Sequence, residues 1–456
     1  MKLISTNPSK NYQVIGEVEV SSPEDVVAKV MLAHRTKRAW QDLGVEGRVK
    51  LLRQVGKRFV DNRDRLVKLQ AEEMGMALKE VQMDFDASID FWNSYLDGAP
   101  KALETVVTIE KEHEVHELHR VPRGVVACIV PWNFPLSNFV WQCGQNLVAG
   151  NVVVFKHSEE TPLCGRLIEE LVNAELPEGV FSEVYGASDV GKMLVESDVD
   201  FICFTGSSAA GVQIAESAGK RLIPTCMELG GSAPGIVFED TDVGAVTEGI
   251  YFPRFINSGQ ACDGLKRLMV HKSKYDEVVR ALTAIIATKK VGDASDDTTD
   301  LGPLVAKRQL ELLEAQVADA VAKGATVVVG GKCPEGLDGA YYEPTLLAGI
   351  TPDMRVWQEE VFGPVLPVVS FDTEDQAIRM ANDTKYGLGG YVFTADAERF
   401  RRVAMRLETC MVGQNNLVYI QPQNFFGGTK QSGSGREHGP EGFREVTLSK
   451  QISYEK

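Results

Sequence analysis

Cys262 is the residue of this sequence whose surroundings best suit covalent chemistry. It ends the segment Asn257-Ser258-Gly259-Gln260-Ala261-Cys262, in which glycine and short polar residues precede the thiol. Such residues let the backbone approach closely and set the thiol in a loop. A thiol in that setting acts as a nucleophile when its thiolate is stabilised, although the pattern alone also fits a structural cysteine.

Glu228 is a candidate general base. It stands at the end of an apolar run and is followed by two glycines, in Met227-Glu228-Leu229-Gly230-Gly231. A carboxyl in such a place is expected to be partly buried, which raises its pKa and suits it to proton transfer. Without further context, a buried glutamate with a purely structural role fits equally well.

Two further segments could stabilise negative charge. In Val130-Pro131-Trp132-Asn133-Phe134-Pro135 the prolines stiffen a turn, and the Asn133 amide can donate to a developing oxyanion, unless it is an ordinary turn asparagine. The segment Phe204–Gly211 runs from an apolar strand through glycine into a predicted helix. Helix N-termini of this kind bind phosphate, although the GxGxxG fingerprint is absent here.

These segments together resemble the aldehyde dehydrogenase superfamily. The motifs that carry the resemblance are Pro131–Pro135, Phe204–Ser207, Glu228–Gly231, Gly259–Cys262, Glu359–Pro364 and Phe426–Glu437. They occur in the order and spacing of that superfamily and cover essentially the whole chain. The resemblance implies that Cys262 attacks an aldehyde, that the adduct passes hydride to NAD(P), and that Glu228 activates the water which hydrolyses the thioester. The oxyanion would lie between the Asn133 side chain and the Cys262 backbone N–H.

The resemblance also implies a bound nicotinamide cofactor. The residues expected to contact it are Trp132, Lys156, Glu159, Gly206, Ser207, Glu360 and Phe362. Lys156 and Glu159 suit the adenosine ribose, and a carboxylate there would repel a 2′-phosphate, so NAD is expected, with NADP as the alternative. The sequence departs from the common family form at His157, where a proline is usual, and this puts the loop shape and the NAD preference in doubt.

The substrate is expected to be an uncharged aromatic or aliphatic aldehyde. The chain generally resembles the succinate-semialdehyde branch, yet two positions that carry arginine there hold Trp141 and Ile256 here. The remaining residues assigned to the substrate tunnel are Asp263, Val418 and Ile420, of which Asp263 would repel an anion. Succinic semialdehyde is the alternative if another arginine, such as Arg254, reaches the tunnel, and hydroxy- or amino-aldehydes stay open.

Two other functions compete with that of a hydrolytic aldehyde dehydrogenase. A coenzyme A-acylating dehydrogenase would resolve the thioester with a thiol, but such enzymes often lack the glutamate that stands here at 228. A catalytically idle structural scaffold is the alternative from another class, and it should have lost the nucleophile or its helpers. Neither Cys262 nor Glu228 nor Asn133 is missing.

The elements that must position these residues indicate an α/β fold. Short β-branched runs alternate with amphipathic segments from Val125 to Phe238, and a second alternation follows from Arg267 to Phe393. We therefore expect two tandem α/β lobes, a Rossmann-like cofactor domain and a catalytic domain, with a small β oligomerisation segment. The predicted bounds are 1–103 and 123–229 for the cofactor domain, 230–435 for the catalytic domain, and 104–122 with 436–456 for the oligomerisation segment.

Composition and residue patterns limit which binding partners the chain is expected to have. The formal net charge is −16, without a basic run, which disfavours nucleic acid and anionic membranes. Eight cysteines without a CxxC pair favour a reducing cytoplasm. His113, His116 and His119 mimic a zinc motif, but in a strand their side chains alternate between faces, so no metal is expected. The extended stretch 104–121 is expected to pair at a homodimer or homotetramer interface.

Overall fold

The computed structural model describes residues 1–456. The N-terminal quarter is a hairpin followed by four helices. Its elements are β1 (Lys2–Asn7), β2 (Gln13–Glu19), α1 (Pro23–Asp42), α2 (Gly44–Asp61), α3 (Arg63–Met74) and α4 (Leu78–Ala102), followed by β3 (Val106–Glu110) and β4 (Glu114–Pro122). Ser22 begins α1 with a capping box, because its hydroxyl accepts the Asp25 N–H while the Asp25 carboxylate accepts the Ser22 N–H.

The first lobe is a parallel sheet with helices on both faces. Its elements are β5 (Val125–Ile129), α5 (Pro135–Ala149), β6 (Val152–Lys156), α6 (Pro162–Asn173), β7 (Phe181–Glu183), α7 (Ser188–Glu196), β8 (Phe201–Thr205), α8 (Ser208–Gly219) and β9 (Thr225–Glu228). The strand order is β9-β8-β5-β6-β7, so the chain reverses direction across the sheet between β5 and β8. Ligands of doubly wound sheets bind at this switch point, outside the carboxyl ends of the strands.

The second lobe is built around a seven-stranded sheet. Its elements are β10 (Ala233–Val237), α9 (Val243–Phe255), β11 (Leu265–His271), α10 (Tyr275–Ile286), α11 (Lys307–Ala322), β12 (Thr326–Val329), β13 (Thr345–Ala348), α12 (Arg355–Gln358), β14 (Val365–Phe371), α13 (Glu374–Asn382), β15 (Tyr386–Gly387), β16 (Tyr391–Phe393), α14 (Ala397–Ala404) and β17 (Gly413–Gln414). The order is β12-β13-β14-β11-β10-β16-β17, and only the β12–β13 pair is antiparallel. The mixed α/β fold with two lobes confirms the predicted fold class.

The C-terminal segment returns to earlier parts of the chain. It contains β18 (Thr429–Lys430), β19 (Gly433–Ser434), α15 (Gly439–Glu445) and β20 (Thr447–Glu455). β20 pairs antiparallel with β4, which pairs with β3, and every residue of β3 is exposed. This three-stranded sheet confirms the extended edge strand predicted for residues 104–121. No helix combines the length and the apolar composition needed to cross a membrane.

The three histidines of the zinc-like pattern do not converge on one point, and two of them make separate hydrogen bonds. His116 is bonded to the Ser453 hydroxyl at 2.9 Å and His119 to the Thr105 hydroxyl at 3.1 Å. His113 lies in the turn between β3 and β4. Nowhere do three or more His, Cys, Asp or Glu side chains come together in a way that could hold a metal ion.

Candidate active site

A cavity of about 1010 Å³ lies where the two sheets meet end to end. The first sheet contributes residues that follow its strands, namely 131–134 after β5, 205–207 at β8, and 228–230 at β9. The second sheet contributes residues that precede its strands, namely 261–263 before β11 and 359–362 before β14. The carboxyl edge of one sheet therefore faces the amino edge of the other across the cavity.

Most of the residues predicted for the site line this one cavity. They are Trp132, Asn133, Trp141, Gly206, Ser207, Glu228, Ile256, Cys262, Asp263, Glu360, Phe362, Val418 and Ile420. Lys156 and Glu159 lie outside its lining, at and just after the carboxyl end of β6, one strand further along the sheet. The two residues predicted to bind the cofactor ribose, in what is called the ribose region below, thus lie outside the cavity proper.

The loop that carries Cys262 is bent by three consecutive left-handed residues. Asn257 and Ser258 both have φ of 52°, and Gly259 has φ of 76°. Such a conformation is unfavourable for residues with a side chain and persists only where neighbours hold it. Here the Asn257 amide donates to the Asn133 carbonyl at 2.8 Å, and the Ser258 hydroxyl donates to the Gly302 carbonyl at 2.7 Å.

Two glycines are required by the close packing around this loop. A Cβ on Gly231 would lie 2.2 Å from the Cys262 carbonyl oxygen, and a Cβ on Gly259 would lie 2.3 Å from the Gly363 carbonyl oxygen. Side chains at either place would push the thiol loop away from Glu228 or from the Glu360 segment. The glycines of both sequence motifs are therefore explained by backbone contact.

The Cys262 thiol is half-buried and has no hydrogen-bond partner. Burial raises its pKa well above the usual range, the neighbouring Asp263 carboxylate raises it further, and the Lys266 ammonium opposes both effects. The thiol is consequently neutral around pH 7, and forming the nucleophilic thiolate requires a proton acceptor or an additional positive charge. The Cys262 backbone N–H makes no backbone hydrogen bond.

Glu228 is buried with both carboxyl oxygens unpaired. Burial raises its pKa well above the usual range, the nearby Glu437 carboxyl raises it further, and the Arg436 guanidinium opposes the shift. Glu437 also lines the cavity, and burial raises its pKa to about 8. Glu437 ends the tail motif seen in the sequence, but nothing in the sequence alone pairs it with Glu228.

The tail motif holds the backbone of the Glu228 loop. Ser432 is buried, and its hydroxyl donates to the Gly230 carbonyl at 2.6 Å while its own carbonyl accepts the Leu229 N–H at 2.9 Å. β19 pairs with β9, with Gly433 opposite Glu228. The role of this motif is therefore to fix the general-base candidate.

Asn133 lies at the other side of the thiol loop. Its amide donates to the Gln260 carbonyl at 3.1 Å, and its side-chain oxygen accepts from Asn138 at 3.3 Å. A primary amide has two N–H groups, so one donor is left for a ligand. The Asn133 side chain lines the cavity, as an oxyanion donor must.

The side of the cavity assigned to nicotinamide is formed by rings and one ion pair. The Trp132 and Phe362 rings meet edge to face with centroids 5.7 Å apart. Glu360 accepts the Gly231 N–H at 3.0 Å and forms an ion pair with Lys266. Lys266 was not recognised from the sequence, because a lysine in a predicted strand has no sequence feature that marks it as buried.

The ribose region consists of Lys156, His157 and Glu159 after β6. Lys156 is buried, its ammonium donates to the His157 carbonyl at 3.0 Å, and burial lowers its pKa while Glu159 and Glu183 oppose the shift. His157 is also buried, with Nδ1 3.0 Å from Glu183 and Nε2 3.3 Å from the Pro135 carbonyl. The residue that departs from the family proline is thus anchored on both sides.

This region and α8 fit a dinucleotide. The Lys156 ammonium has three N–H donors and uses one of them within the protein. Ser207 caps α8, and the first N–H groups of a helix have no intrahelical partner, so they can donate hydrogen bonds to an anionic pyrophosphate. Glu159 is only half-buried and can accept hydrogen bonds from ribose hydroxyls.

The substrate side is aromatic and acidic. Trp141 packs against Phe91, Phe426 and His438 at centroid distances of 5.5, 5.1 and 4.6 Å. The Asp263 carboxylate accepts from the Tyr419 hydroxyl at 3.3 Å. Eight carboxyl side chains line the whole cavity against a single lysine, Lys385.

The segment around Val418 and the side chain of Arg254 do not lie where the sequence would place them in a substrate tunnel. Leu417 is 71% and Val418 64% exposed, so these two residues lie at the mouth of the cavity, whereas Tyr419 and Ile420 are half-buried. Arg254 is fully buried and donates to the carbonyls of Val361 and Gly363, away from the cavity lining. It therefore offers no cation to a substrate.

Sequence comparison places the chain among aldehyde dehydrogenases. The model of the aldehyde dehydrogenase family matches residues 2–452. The chain is 38% identical to a succinate-semialdehyde dehydrogenase [NADP(+)] of Deinococcus radiodurans, covering 94% of this chain and 90% of that protein. It is 36% identical to the chloroplastic betaine aldehyde dehydrogenase of Beta vulgaris, covering 98% of this chain and 92% of that protein.

Two solved structures have the same fold as this chain. The betaine aldehyde dehydrogenase of Staphylococcus aureus in complex with NAD+ superposes with a TM-score of 0.95 at 33% identity, over 100% of this chain and 91% of that one. An E. coli NADP-dependent enzyme superposes with a TM-score of 0.97 at 31% identity, over 100% and 95% of the two chains. The chain therefore belongs to the aldehyde dehydrogenase family and is an NAD(P)-dependent enzyme that oxidises an aldehyde to a carboxylic acid.

Proposed function

We propose that Cys262 is the nucleophile, Asn133 the oxyanion donor and Glu228 the general base of this oxidation. The observation that supports this assignment best is their convergence on one cavity from three separate loops. The thiolate attacks the aldehyde carbon, and the oxyanion of the thiohemiacetal accepts from the Asn133 amide and the Cys262 N–H. After hydride has left, Glu228 takes a proton from water, which attacks the thioester and releases the acid.

Proton handling falls to the two buried carboxyls. The raised pKa of the thiol means that its proton must pass to an acceptor before attack. The Glu437 carboxyl adds to the raised pKa of Glu228, so the pair holds a second negative charge poorly. The pair can therefore accept the thiol proton, and it must release that proton before Glu228 accepts another from water.

We propose NAD as the preferred cofactor, with NADP as the alternative. The nicotinamide supplies the hydride acceptor when bound, and this chain's own residues hold it. Lys156 and Glu159 would bind the adenosine ribose, Gly206 and Ser207 the pyrophosphate, and Trp132, Glu360 and Phe362 the nicotinamide side. The NAD preference rests on the Glu159 carboxylate, which disfavours a 2′-phosphate by repulsion.

The substrate that the cavity suits best is an aromatic or aliphatic aldehyde without negative charge. A buried substrate carboxylate needs a cation, because an unpaired charge is strongly disfavoured away from water. Trp141 and Ile256 offer none, Arg254 is turned away, and Asp263 adds a carboxyl to the wall. Succinic semialdehyde, the substrate named for several relatives, is therefore the weaker alternative.

An aldehyde with a positively charged amino group is a second candidate. Aromatic rings beside carboxyl groups are a favourable surround for a cation, and Trp141, Tyr419 and Asp263 provide both. Betaine aldehyde dehydrogenases and an aminoaldehyde dehydrogenase are among the relatives. This candidate predicts stronger binding at low salt, which a neutral aldehyde does not.

The wider organisation is also proposed from these features. The divisions at 1–103 with 123–229, at 230–435, and at 104–122 with 436–456 follow the two large sheets and the β3–β4–β20 sheet. Val106, Val107 and Ile109 are exposed on the edge strand β3, which suits assembly into a homodimer or homotetramer. All eight cysteines are free, in keeping with a reducing cytoplasm.

The test is a substrate panel followed by NADH formation. Hexanal, benzaldehyde, an aminoaldehyde and succinic semialdehyde are compared by kcat/KM at two salt concentrations, each with NAD and with NADP. The proposal expects the neutral aldehydes, or the aminoaldehyde at low salt, to exceed succinic semialdehyde. A clear preference for succinic semialdehyde would contradict the substrate assignment but leave the aldehyde dehydrogenase activity intact.

A further inference from the structure

Lys266 is a buried cation directly behind the wall of the active-site cavity, against Glu360 and Phe362, which line it. It lies on β11, four residues after Cys262, and its side chain is 1% exposed. Its ammonium forms an ion pair with Oε1 of Glu360 and lies 4.7 Å from the centroid of the Phe362 ring. One side chain therefore contacts both residues to which the nicotinamide side was assigned.

Glu360 is held through one of its two oxygens. Oε1 accepts from Lys266 and from the Gly231 N–H at 3.0 Å, whereas Oε2 accepts no hydrogen bond from the protein. Oε2 points past Gly230, where a Cβ would lie 2.4 Å from it. The Glu360 side chain is 18% exposed, so the unbonded oxygen is the one available to a ligand.

The main chain of the same segment is held from the opposite side. Arg254 donates to the carbonyls of Val361 and Gly363, the first of these at 3.2 Å. Arg254 thus fixes the backbone between residues 361 and 363. Lys266, a second buried cation, fixes the side chains of Glu360 and Phe362. A buried ammonium needs both a counter-ion and further favourable contacts, and Glu360 with Phe362 provides them.

We propose that Lys266 is a positioning residue for the nicotinamide half of the cofactor, acting by fixing the Glu360 carboxylate and the Phe362 ring in the cavity wall. This inference rests on the proposed roles of Glu360 and Phe362. Lys266 also brings the positive charge that opposes the raised pKa of the Cys262 thiol. Removing the Lys266 charge should therefore chiefly make Glu360 and Phe362 more mobile. It should also make the Cys262 thiol harder to ionise.

The test uses Lys266→Met, which keeps the length of the apolar stem, and Lys266→Arg, which keeps the charge. Lys272→Met is the matched control, because it removes an exposed ion pair with Asp372 at the far end of β11. Fluorescence titration gives the dissociation constants of NAD+, ADP-ribose and AMP. Hydrogen exchange of the ligand-free proteins follows the segment 359–363.

We expect Lys266→Met to raise the dissociation constants of NAD+ and ADP-ribose by about tenfold. This is the effect of losing one hydrogen bond to a charged group. AMP should bind unchanged, because it reaches only the ribose region around Lys156. Exchange in 359–363 should accelerate in Lys266→Met alone, and Lys266→Arg should recover most of the affinity. In a Glu360→Gln background, Lys266→Met should have little further effect on affinity.

Equal weakening of all three ligands, or unchanged exchange in 359–363, would overturn the proposal and leave Lys266 as a residue of general stability. Should Lys266→Met fold poorly, Lys266→Arg with Glu360→Gln still measures the coupling between the two side chains. If the wild-type protein bound AMP but not NAD+, the assignment of the nicotinamide side would fail. The exchange experiment would still decide whether Lys266 fixes the segment.

Discussion

The two ends of the active-site cavity treat their ionisable groups in opposite ways. At the proposed catalytic end, formed by Cys262 and Glu228, neither the thiol nor the carboxyl has a hydrogen-bond partner, and burial raises the pKa of both. At the proposed cofactor end, formed by Glu360, Lys266 and Phe362, the carboxylate is bonded by an ammonium and a backbone N–H. Groups that must exchange protons are left unpaired, whereas groups that must hold a ligand are fixed.

This difference follows from what each end has to do. A hydrogen-bonded ion pair stabilises the charged forms and so opposes proton transfer, which suits a binding residue. A buried and unpaired carboxyl has a raised pKa and so a higher affinity for a proton, which suits Glu228 as a base. The ribose region resembles the cofactor end, because His157 and Glu183 are paired there.

The largest effect is expected from removing the nucleophile. Cys262→Ala should lower kcat by more than about 10³-fold while NAD+ binding stays near normal, because the thiol has no other partner to lose. Cys410→Ala, which removes another half-buried thiol, is the control and should stay active. Steady-state rates and cofactor titration measure both, and a Cys262→Ala enzyme with more than a few per cent of the wild-type rate would exclude the assignment.

The next largest effect is expected at the general base. Glu228→Gln should slow thioester hydrolysis by about 10²–10⁴-fold but leave hydride transfer much less affected, since Glu437 still offers an acceptor for the thiol proton whereas the attacking water needs Glu228. Rapid mixing should then show a burst of NADH before a slow steady rate. If the burst is absent and hydride transfer is slowed equally, Glu228 acts earlier, as the acceptor of the thiol proton.

A smaller effect is expected at the ribose region. Wild-type enzyme should prefer NAD to NADP in kcat/KM, and Glu159→Ser should narrow the ratio by about tenfold because it removes both the hydroxyl acceptor and the repulsion of a 2′-phosphate. Glu160→Ser is the neighbouring control. A wild-type preference for NADP would show that His157 has reshaped the loop and that Glu159 does not decide the selectivity.

The smallest effect concerns the pH dependence of the thiol. Because its pKa is raised, alkylation of Cys262 in the free enzyme should keep accelerating with pH beyond the range in which an ordinary thiol is fully ionised. The Asp263 carboxylate contributes to this shift, so Asp263→Asn should move the profile to lower pH. Iodoacetamide kinetics with mass spectrometry of the Cys262 peptide measures it, and an unchanged profile would leave burial as the whole cause.

Much of the fold could be predicted from sequence periodicity, with one informative difference. The last β-branched run of the first alternation, which ends at Phe238, belongs to β10 at Ala233–Val237, and Pro234 and Gly235 follow the first residue of that strand. Those residues disfavour a central strand, yet β10 pairs on both sides. Pro234 lies where the pairing with β11 shifts register, and a Cβ on Gly235 would meet Leu265 at 2.7 Å.

The sequence by itself determined which residue types are present and in what order. The motifs made Cys262, Glu228 and Asn133 candidates, and their expected roles as nucleophile, base and oxyanion donor came from the resemblance of all six motifs to the aldehyde dehydrogenase superfamily. The same motifs assigned the glycines and the helix N-terminus at Ser207. Local chemistry of this kind lies within a few residues and can be read from the chain.

Only the tertiary structure decided which groups face one another. Lys266 meets Glu360, and Glu437 raises the pKa of Glu228, although each pair is far apart in the sequence. Arg254, an equally plausible cation in the sequence, is turned to backbone carbonyls instead. The physical reason is that charge pairing and burial depend on how two sheet edges meet, and no local pattern of residues encodes that distance.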